Sequence, residues 1–140
     1  MMYLLDTCVI SEFVAATPSR RILDWADRLD EQSLIVSVIT IGELRKGIEK
    51  LPRSKKRTRL EAWLENDLLR RFEGRIATLD IGTMLAWGRL CGDLEKKGMT
   101  MPAIDSLLAA SALHWGYTFV TRNTNAFRNT GIALFNPWSD

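Results

Sequence analysis

The sequence lacks the features that mark secreted, membrane-spanning and zinc-finger proteins. Its two cysteines, Cys8 and Cys91, lie far apart without CxxC spacing, which argues against a disulfide framework and a zinc site. No run of about 18 apolar residues occurs, and the N-terminus has no basic stretch followed by an apolar segment and a cleavage site. We therefore expect a cytoplasmic protein with two reduced thiols.

A strong excess of charge of one sign is also missing. The 19 basic and 17 acidic residues leave a net charge of +2, which by itself does not indicate nucleic-acid binding. Hydrophobic residues make up 46% of the chain, enough for a packed core and too many for a disordered protein. At 140 residues, without a linker or an internal repeat, the chain is expected to form one domain, residues 1–140.

Short apolar segments alternate with helical patterns along the chain. The apolar spacing predicts strands at 2–6, 34–38, 75–79, 117–120 and 132–135, and helices at 7–12, 19–29, 40–48, 54–72, 81–97 and 105–113. Residues 121–129 are expected to form a polar loop. The alternation predicts an α/β fold with a mainly parallel sheet covered by helices on both faces. Ligands of such sheets bind beyond the carboxyl ends of the strands.

Three carboxylates are expected at that edge of the sheet. Asp6 ends the first strand, Glu43 lies in the helix after the second, and Asp105 begins the helix before the fourth. Carboxylates gathered in one cleft repel one another unless cations or protons neutralise them. Oxygen ligands of this kind favour Mg²⁺ or Mn²⁺, and such a metal can activate water for phosphodiester hydrolysis.

Two of the three carboxylates, taken alone, also have a structural explanation. The spacing Thr40-x-x-Glu43 is that of a capping box at a helix start, and Asp105 could be an acid placed favourably in the first turn of a helix. The lone His114 lies near a helix end, where a cation is favoured, so it needs no catalytic role. Residues 53–59 hold five basic side chains, which could contact RNA phosphates or form a solvated loop.

Four motifs in order resemble those of PIN-domain ribonucleases, specifically VapC-type toxins of toxin–antitoxin pairs. They lie at 5–12, 37–48, 105–112 and 121–127, so the resemblance covers nearly the whole chain. It implies a three-layer α/β/α sandwich with a short central sheet. It also implies Mg²⁺- or Mn²⁺-dependent RNA cleavage, with Asp6, Glu43 and Asp105 as catalytic metal-site residues.

The resemblance assigns supporting roles to polar residues beside these acids. Thr7, Ser11 and Thr121 look like the polar side chains that could bond a carboxylate, a water or a phosphate, although Thr and Ser also favour helix caps. Many relatives carry a fourth acid where Asn123 stands or near Ala126, and neither position is acidic here. Asn123 could still orient a water or the substrate, but it brings no charge, which puts a second metal ion in doubt.

Partners follow from the same resemblance. It implies a homodimer, a small VapB-like antitoxin and an RNA substrate, with transfer RNA the expected target. Arg45, Lys46 and Arg122 are candidate RNA contacts, since they add positive charge near the predicted site. The alternative from another class is a PIN-like module that has lost catalysis and binds RNA or protein. A haloacid-dehalogenase-like phosphatase is a poor match, because Cys8 stands where its second aspartate would be.

Overall fold

Five short strands form one sheet in the computed structural model, which describes residues 1–139. The strands are β1 (Tyr3–Leu5), β2 (Leu34–Ser37), β3 (Ile76–Ala77), β4 (Thr118–Val120) and β5 (Leu134–Phe135). Their spatial order is β3-β2-β1-β4-β5, and all four pairings are parallel. The predicted α/β class with a parallel sheet is therefore confirmed.

Helices connect the strands and cover both faces of the sheet. They are α1 (Thr7–Glu12), α2 (Arg20–Asp27), α3 (Val38–Glu49), α4 (Lys55–Ala62), α5 (Leu69–Arg71), α6 (Ile81–Lys96) and α7 (Ala103–Trp115), with a π-helical turn (Trp63–Leu68) joining α4 to α5. Short 3₁₀ turns lie at Glu31–Ser33 and Thr124–Thr130. Among residues 1–139, no helix is long and apolar enough to span a membrane.

Alternation of side chains along the strands divides the buried residues into two cores. On β1, Leu5 packs into one core with Val36 and Val120, whereas Leu4 faces the other. Ile22 of α2 also packs into the first core, and side chains of the helical segment from α4 to α5 cover it. Helices α6 and α7 cover the second core. Because successive side chains of a strand point to opposite faces, these short strands hold both helical layers. The expected three layers are present.

The order of strands creates a crevice at the carboxyl ends of β1 and β4. The chain moves from β1 outward to β2 and β3, and then crosses to the other side of β1 to add β4 and β5. The two loops leaving β1 and β4 therefore separate to opposite sides, and an open parallel sheet binds ligands at such a switch point. Asp6 and Thr121 are the first residues after these two strands.

Several predicted bounds differ from the observed ones, and two of these differences have a clear physical cause. Helix α3 begins at Val38 rather than Thr40, because the Ser37 hydroxyl accepts a hydrogen bond from the Ile39 amide at 3.0 Å and caps the helix earlier. The predicted polar loop at 121–129 overlaps the 3₁₀ turn Thr124–Thr130, which is fixed by burial of Phe127 against Phe119 at 4.7 Å between ring centroids. Packing of one aromatic side chain thus orders a segment that composition alone marks as a loop.

Candidate active site

Asp6 is held at the crevice by the start of α1 and by the end of β4. Its backbone amide donates to the Val120 carbonyl at 2.9 Å, which ties the end of β1 to β4. Its Oδ1 accepts from the Thr7 amide at 2.8 Å, so Asp6 is the N-cap of α1. Its Oδ2 accepts from the Thr121 hydroxyl at 2.7 Å. The carboxylate is therefore fixed in one orientation at the switch point of the sheet.

Glu43 reaches the same crevice from α3. The Thr7 hydroxyl donates to Glu43 Oε1 at 2.7 Å and lies 3.3 Å from the hydroxyl oxygen of buried Thr40. Because Ser37 caps α3, Thr40 lies inside the helix and the capping-box interpretation of Glu43 is wrong. Thr7 thus links two acids, since its amide holds Asp6 and its hydroxyl holds Glu43.

Asp105 completes the cluster from the first turn of α7. Burial, followed by the negative charges of Asp6 and Glu43, raises the pKa of the Asp105 carboxyl above its ordinary value. Within residues 1–139, no donor satisfies its side-chain oxygens, in contrast to the other two acids. The raised pKa means that the ionised form of Asp105 is disfavoured where it lies, and a nearby cation would stabilise it.

The three acids fit a hard divalent cation by their chemistry. Among residues 1–139, no three or more His, Cys, Asp or Glu side chains already converge as metal ligands. Mg²⁺ does not require such a set, because it commonly takes one or two carboxylates and keeps several waters. In the part of the chain that the structure describes, Asp105 has no hydrogen-bond donor, and it lies near Asp6 and Glu43, which Thr121 and Thr7 hold in place. These carboxylate oxygens are the kind of ligand that suits this ion.

Two of the expected polar residues are not brought into contact with the acids. Asn123 donates its backbone amide to the Thr121 hydroxyl at 3.1 Å, but its side chain is exposed at the start of the 3₁₀ turn. Ser11 is exposed on the last turn of α1. Asn123 therefore supports Asp6 indirectly, through the hydroxyl that holds the carboxylate.

The sequence matches the PIN domain family over residues 3–133. The chain belongs to the PIN domain family. It is 36% identical over 139 residues to the "Toxin FitB" of Neisseria gonorrhoeae, covering 99% of this chain and 100% of that protein. It is 34% identical over 137 residues to the "VapC ribonuclease Y4jK" of Sinorhizobium fredii, covering 98% of each.

A solved structure of FitAB bound to an IR36 DNA fragment matches with a TM-score of 0.92 at 34% identity, covering 99% of this chain and 97% of that one. The resemblance to VapC-type PIN domains is confirmed.

The candidate RNA-contacting residues of this PIN domain differ in how free they are. Arg45 lies 2.6 Å from Glu49, 3.2 Å from Glu61 and 3.7 Å from Glu65, so its charge is largely balanced. Lys46 is exposed and lines an open groove with Glu43. Arg122 is exposed on the loop after β4. Lys46 and Arg122 remain the candidates whose charge faces solvent beside the PIN-domain cleft.

Two residues beside the acids were not assigned a site role from the sequence. The Cys8 thiol lies 3.8 Å from Asp6 Oδ2 as a weak donor, and burial is the main cause that raises its pKa, so the thiol stays protonated. Thr40 brings a buried hydroxyl beside Thr7. The only signal for Thr40 is its position three residues before Glu43, which places both on one face of a helix.

Proposed function

We propose that this PIN domain is a divalent-metal-dependent endoribonuclease and the toxin of a toxin–antitoxin pair, formed by a single domain spanning residues 1–140. The carrying observation is the unsatisfied Asp105 carboxylate facing Asp6 and Glu43, which are each held by hydroxyl donors. The names of the relatives, a VapC ribonuclease and a toxin, support this reading.

The proposed chemistry divides between a cation and the chain. Mg²⁺ or Mn²⁺, when bound, would polarise the phosphodiester and lower the pKa of an attacking water. Asp6, Glu43 and Asp105 would hold the ion. Thr7 and Thr121 keep two of these carboxylates oriented, so little reorganisation is needed when substrate arrives. Asn123 would hold a water or the RNA from the rim.

The test compares cleavage of total cellular RNA by the wild-type chain with cleavage by D6N, E43Q and D105N. We expect each substitution to reduce metal-dependent cleavage by at least about 100-fold, since metal assistance supplies several kcal/mol and 1.4 kcal/mol is a factor of ten. The matched control is D67N, which neutralises an exposed acid on the π-helical turn. Equal cleavage by D6N and wild type, or cleavage that survives chelation, would exclude the proposed site.

One alternative rests on a specific observation, the neutral and outward-facing Asn123. Without a fourth acid, the cleft has less charge with which to retain a metal, and the protein would act as a binding module for RNA or protein. In that case Mg²⁺ would not support cleavage, while RNA binding would persist in D6N. The same set of variants therefore separates the two functions.

Transfer RNA is the proposed target, and a VapB-like antitoxin the proposed partner. A transfer RNA substrate would place the activity in the cytoplasm. Mapping the fragments released from total RNA identifies the target, and co-expression with the antitoxin should suppress cleavage. The FitAB structure bound to DNA supports a two-protein assembly of this kind.

A second copy of the chain is the proposed partner for an apolar stripe on α6. Ile81 and Leu85 are 81% and 59% exposed, and Met84 lies beside them on the same face. Self-association would bury this stripe in a homodimer. Light scattering should give a dimer for the wild-type chain and a monomer for L85E, whereas a monomeric wild type would exclude this surface as a stable interface.

A further inference from the structure

The chain after β5 turns back against the loop that follows β4. This NPW segment consists of Asn136, Pro137 and Trp138. Asn136 Nδ2 donates to the Arg122 carbonyl at 3.3 Å, and Asn136 Oδ1 accepts from the Trp138 amide at 2.9 Å. Arg21 Nε of α2 donates to the Pro137 carbonyl at 3.0 Å. The segment is therefore anchored to two separate parts of the fold.

Trp138 forms a platform under the side chain of Arg122. Its ring packs against the core beneath α2 and lies 4.2 Å from the Arg122 guanidinium, measured to the ring centroid. Its Nε1 is buried and has no hydrogen-bond partner within residues 1–139. The ring is thus held by packing rather than by its polar atom. Tryptophan is the side chain whose face attracts a cation most strongly.

Arg122 lies at the rim of the acidic cleft. It follows Thr121, whose hydroxyl holds Asp6, and its backbone contacts the Cys8 thiol. Within residues 1–139, its guanidinium is in no ion pair, whereas the guanidinium of Arg45 contacts three glutamates. Stacking on Trp138 therefore fixes the charge of the residue that follows Thr121, and its N–H groups can bind a ligand because no acid within residues 1–139 pairs with them.

We propose that Trp138 is a positioning residue that holds Arg122 as a contact for an RNA phosphate next to the cleft. The inference rests on the proposed ribonuclease function, because it takes RNA as the ligand. Three clustered carboxylates repel a polyanion, so a fixed cation at their rim offsets that repulsion where the strand enters. Arg is suited to this role, since its planar group can stack on a ring and donate to phosphate at the same time.

RNA binding tests the proposal independently of cleavage. The full chain carrying D6N would be titrated with a fluorescent single-stranded RNA oligonucleotide at several KCl concentrations. Adding R122Q should lower the slope of log affinity against log salt by about 0.7, the value for one phosphate contact on a single strand. W138L should weaken binding by about two- to five-fold, and W138F should recover most of it, because Phe keeps an aromatic face.

R89Q is the matched charge control. Arg89 is exposed on α6, beside His114 and Thr130 and away from the acids, so its loss should leave the affinity and the salt slope near those of D6N alone. In the chain without D6N, W138L should raise KM and leave kcat within about twofold, a division expected when only substrate binding is weakened. Thermal unfolding of each variant shows whether it is folded.

Several results would overturn the proposal. These are R122Q matching R89Q in affinity and slope, W138L binding RNA as tightly as D6N alone, or W138F failing as badly as W138L while folded. R122Q keeps the test valid if W138L does not fold, because Arg122 is exposed. A wild-type chain without metal-dependent cleavage would count against the ribonuclease, whereas the binding series would still decide the role of Trp138.

Discussion

Replacing Thr7 by valine would remove one hydroxyl and leave the shape of the side chain almost unchanged. That hydroxyl donates to Glu43 Oε1 at 2.7 Å, whereas the Thr7 amide, which valine retains, holds Asp6. A hydrogen bond to a charged group contributes about 1.5–3 kcal/mol, and the low end applies to this half-buried pair. We therefore expect the ratio of cleft-facing to other orientations of the Glu43 side chain to fall about tenfold, since 1.4 kcal/mol is a factor of ten.

The consequence should appear in catalysis rather than in folding. Loss of a partner that orients a metal ligand costs about 10- to 100-fold in metal affinity or activity, so T7V should cleave RNA at least about tenfold more slowly and need more Mg²⁺. Its free energy of unfolding should fall by no more than about 1.5 kcal/mol, because the half-buried Glu43 carboxylate can turn to solvent once the bond is lost. Cleavage rates on a defined RNA across a Mg²⁺ titration, with thermal unfolding in parallel, measure both effects.

T7S is the control, because serine retains the donor. It should stay within about threefold of the wild-type rate, which is less than the loss of one hydrogen bond would cause. A T7V protein that cleaves within about twofold of wild type at the same Mg²⁺ midpoint would refute the reasoning, since the hydroxyl would then not position Glu43.

Two further predictions concern stability. D105N should raise the stability of the metal-free chain at neutral pH by up to about 1 kcal/mol, since Asp105 is only half-buried and solvent screens much of its charge. The folded-state pKa of Asp105 is raised, so its ionised form destabilises the fold above that pKa, and the gain from D105N should vanish as pH falls towards the ordinary value of 3.8. Chemical unfolding from pH 3 to 8 measures this gain. If D105N instead lowers the stability, Asp105 acts mainly as a favourable charge at the start of α7. S37A should lower the free energy of unfolding by about 1 kcal/mol, because it removes the cap of α3. A loss of this size in T40A and none in S37A would contradict the observed start of the helix.

The sheet and its acids were largely predictable because local pattern carries them. Strands buried on both faces are short apolar runs, and such runs followed by Asp6 and by the helix of Glu43 are visible without any coordinates. Parallel strands place their carboxyl ends at one edge, so the topology needed only the alternation of strands and helices. The placement of Asp105 in the first turn of α7 followed from the same reasoning.

The helix boundaries and the pairing of charges were less predictable because they depend on side-chain contacts. Ser37 and Thr40 are both good helix caps, and only the observed bond from the Ile39 amide chooses between them. The sequence predicts Arg45 as a free cation, yet Glu61 of α4 and Glu65 of the following turn form ion pairs with it. Such ion pairs join residues whose separation along the chain contains no regular period.

The sequence by itself determined the fold class, the five strands and the three acids, since each is written in local spacing and in motifs that remain contiguous along the chain. Only the tertiary structure decided that Thr7 holds Glu43 across 36 positions, that Thr121 holds Asp6 across 115, and that Trp138 lies under Arg122. Hydrogen bonds and stacking act over a few ångströms in space, and a residue's neighbours in space are set by the packing of the whole sheet rather than by its neighbours in sequence.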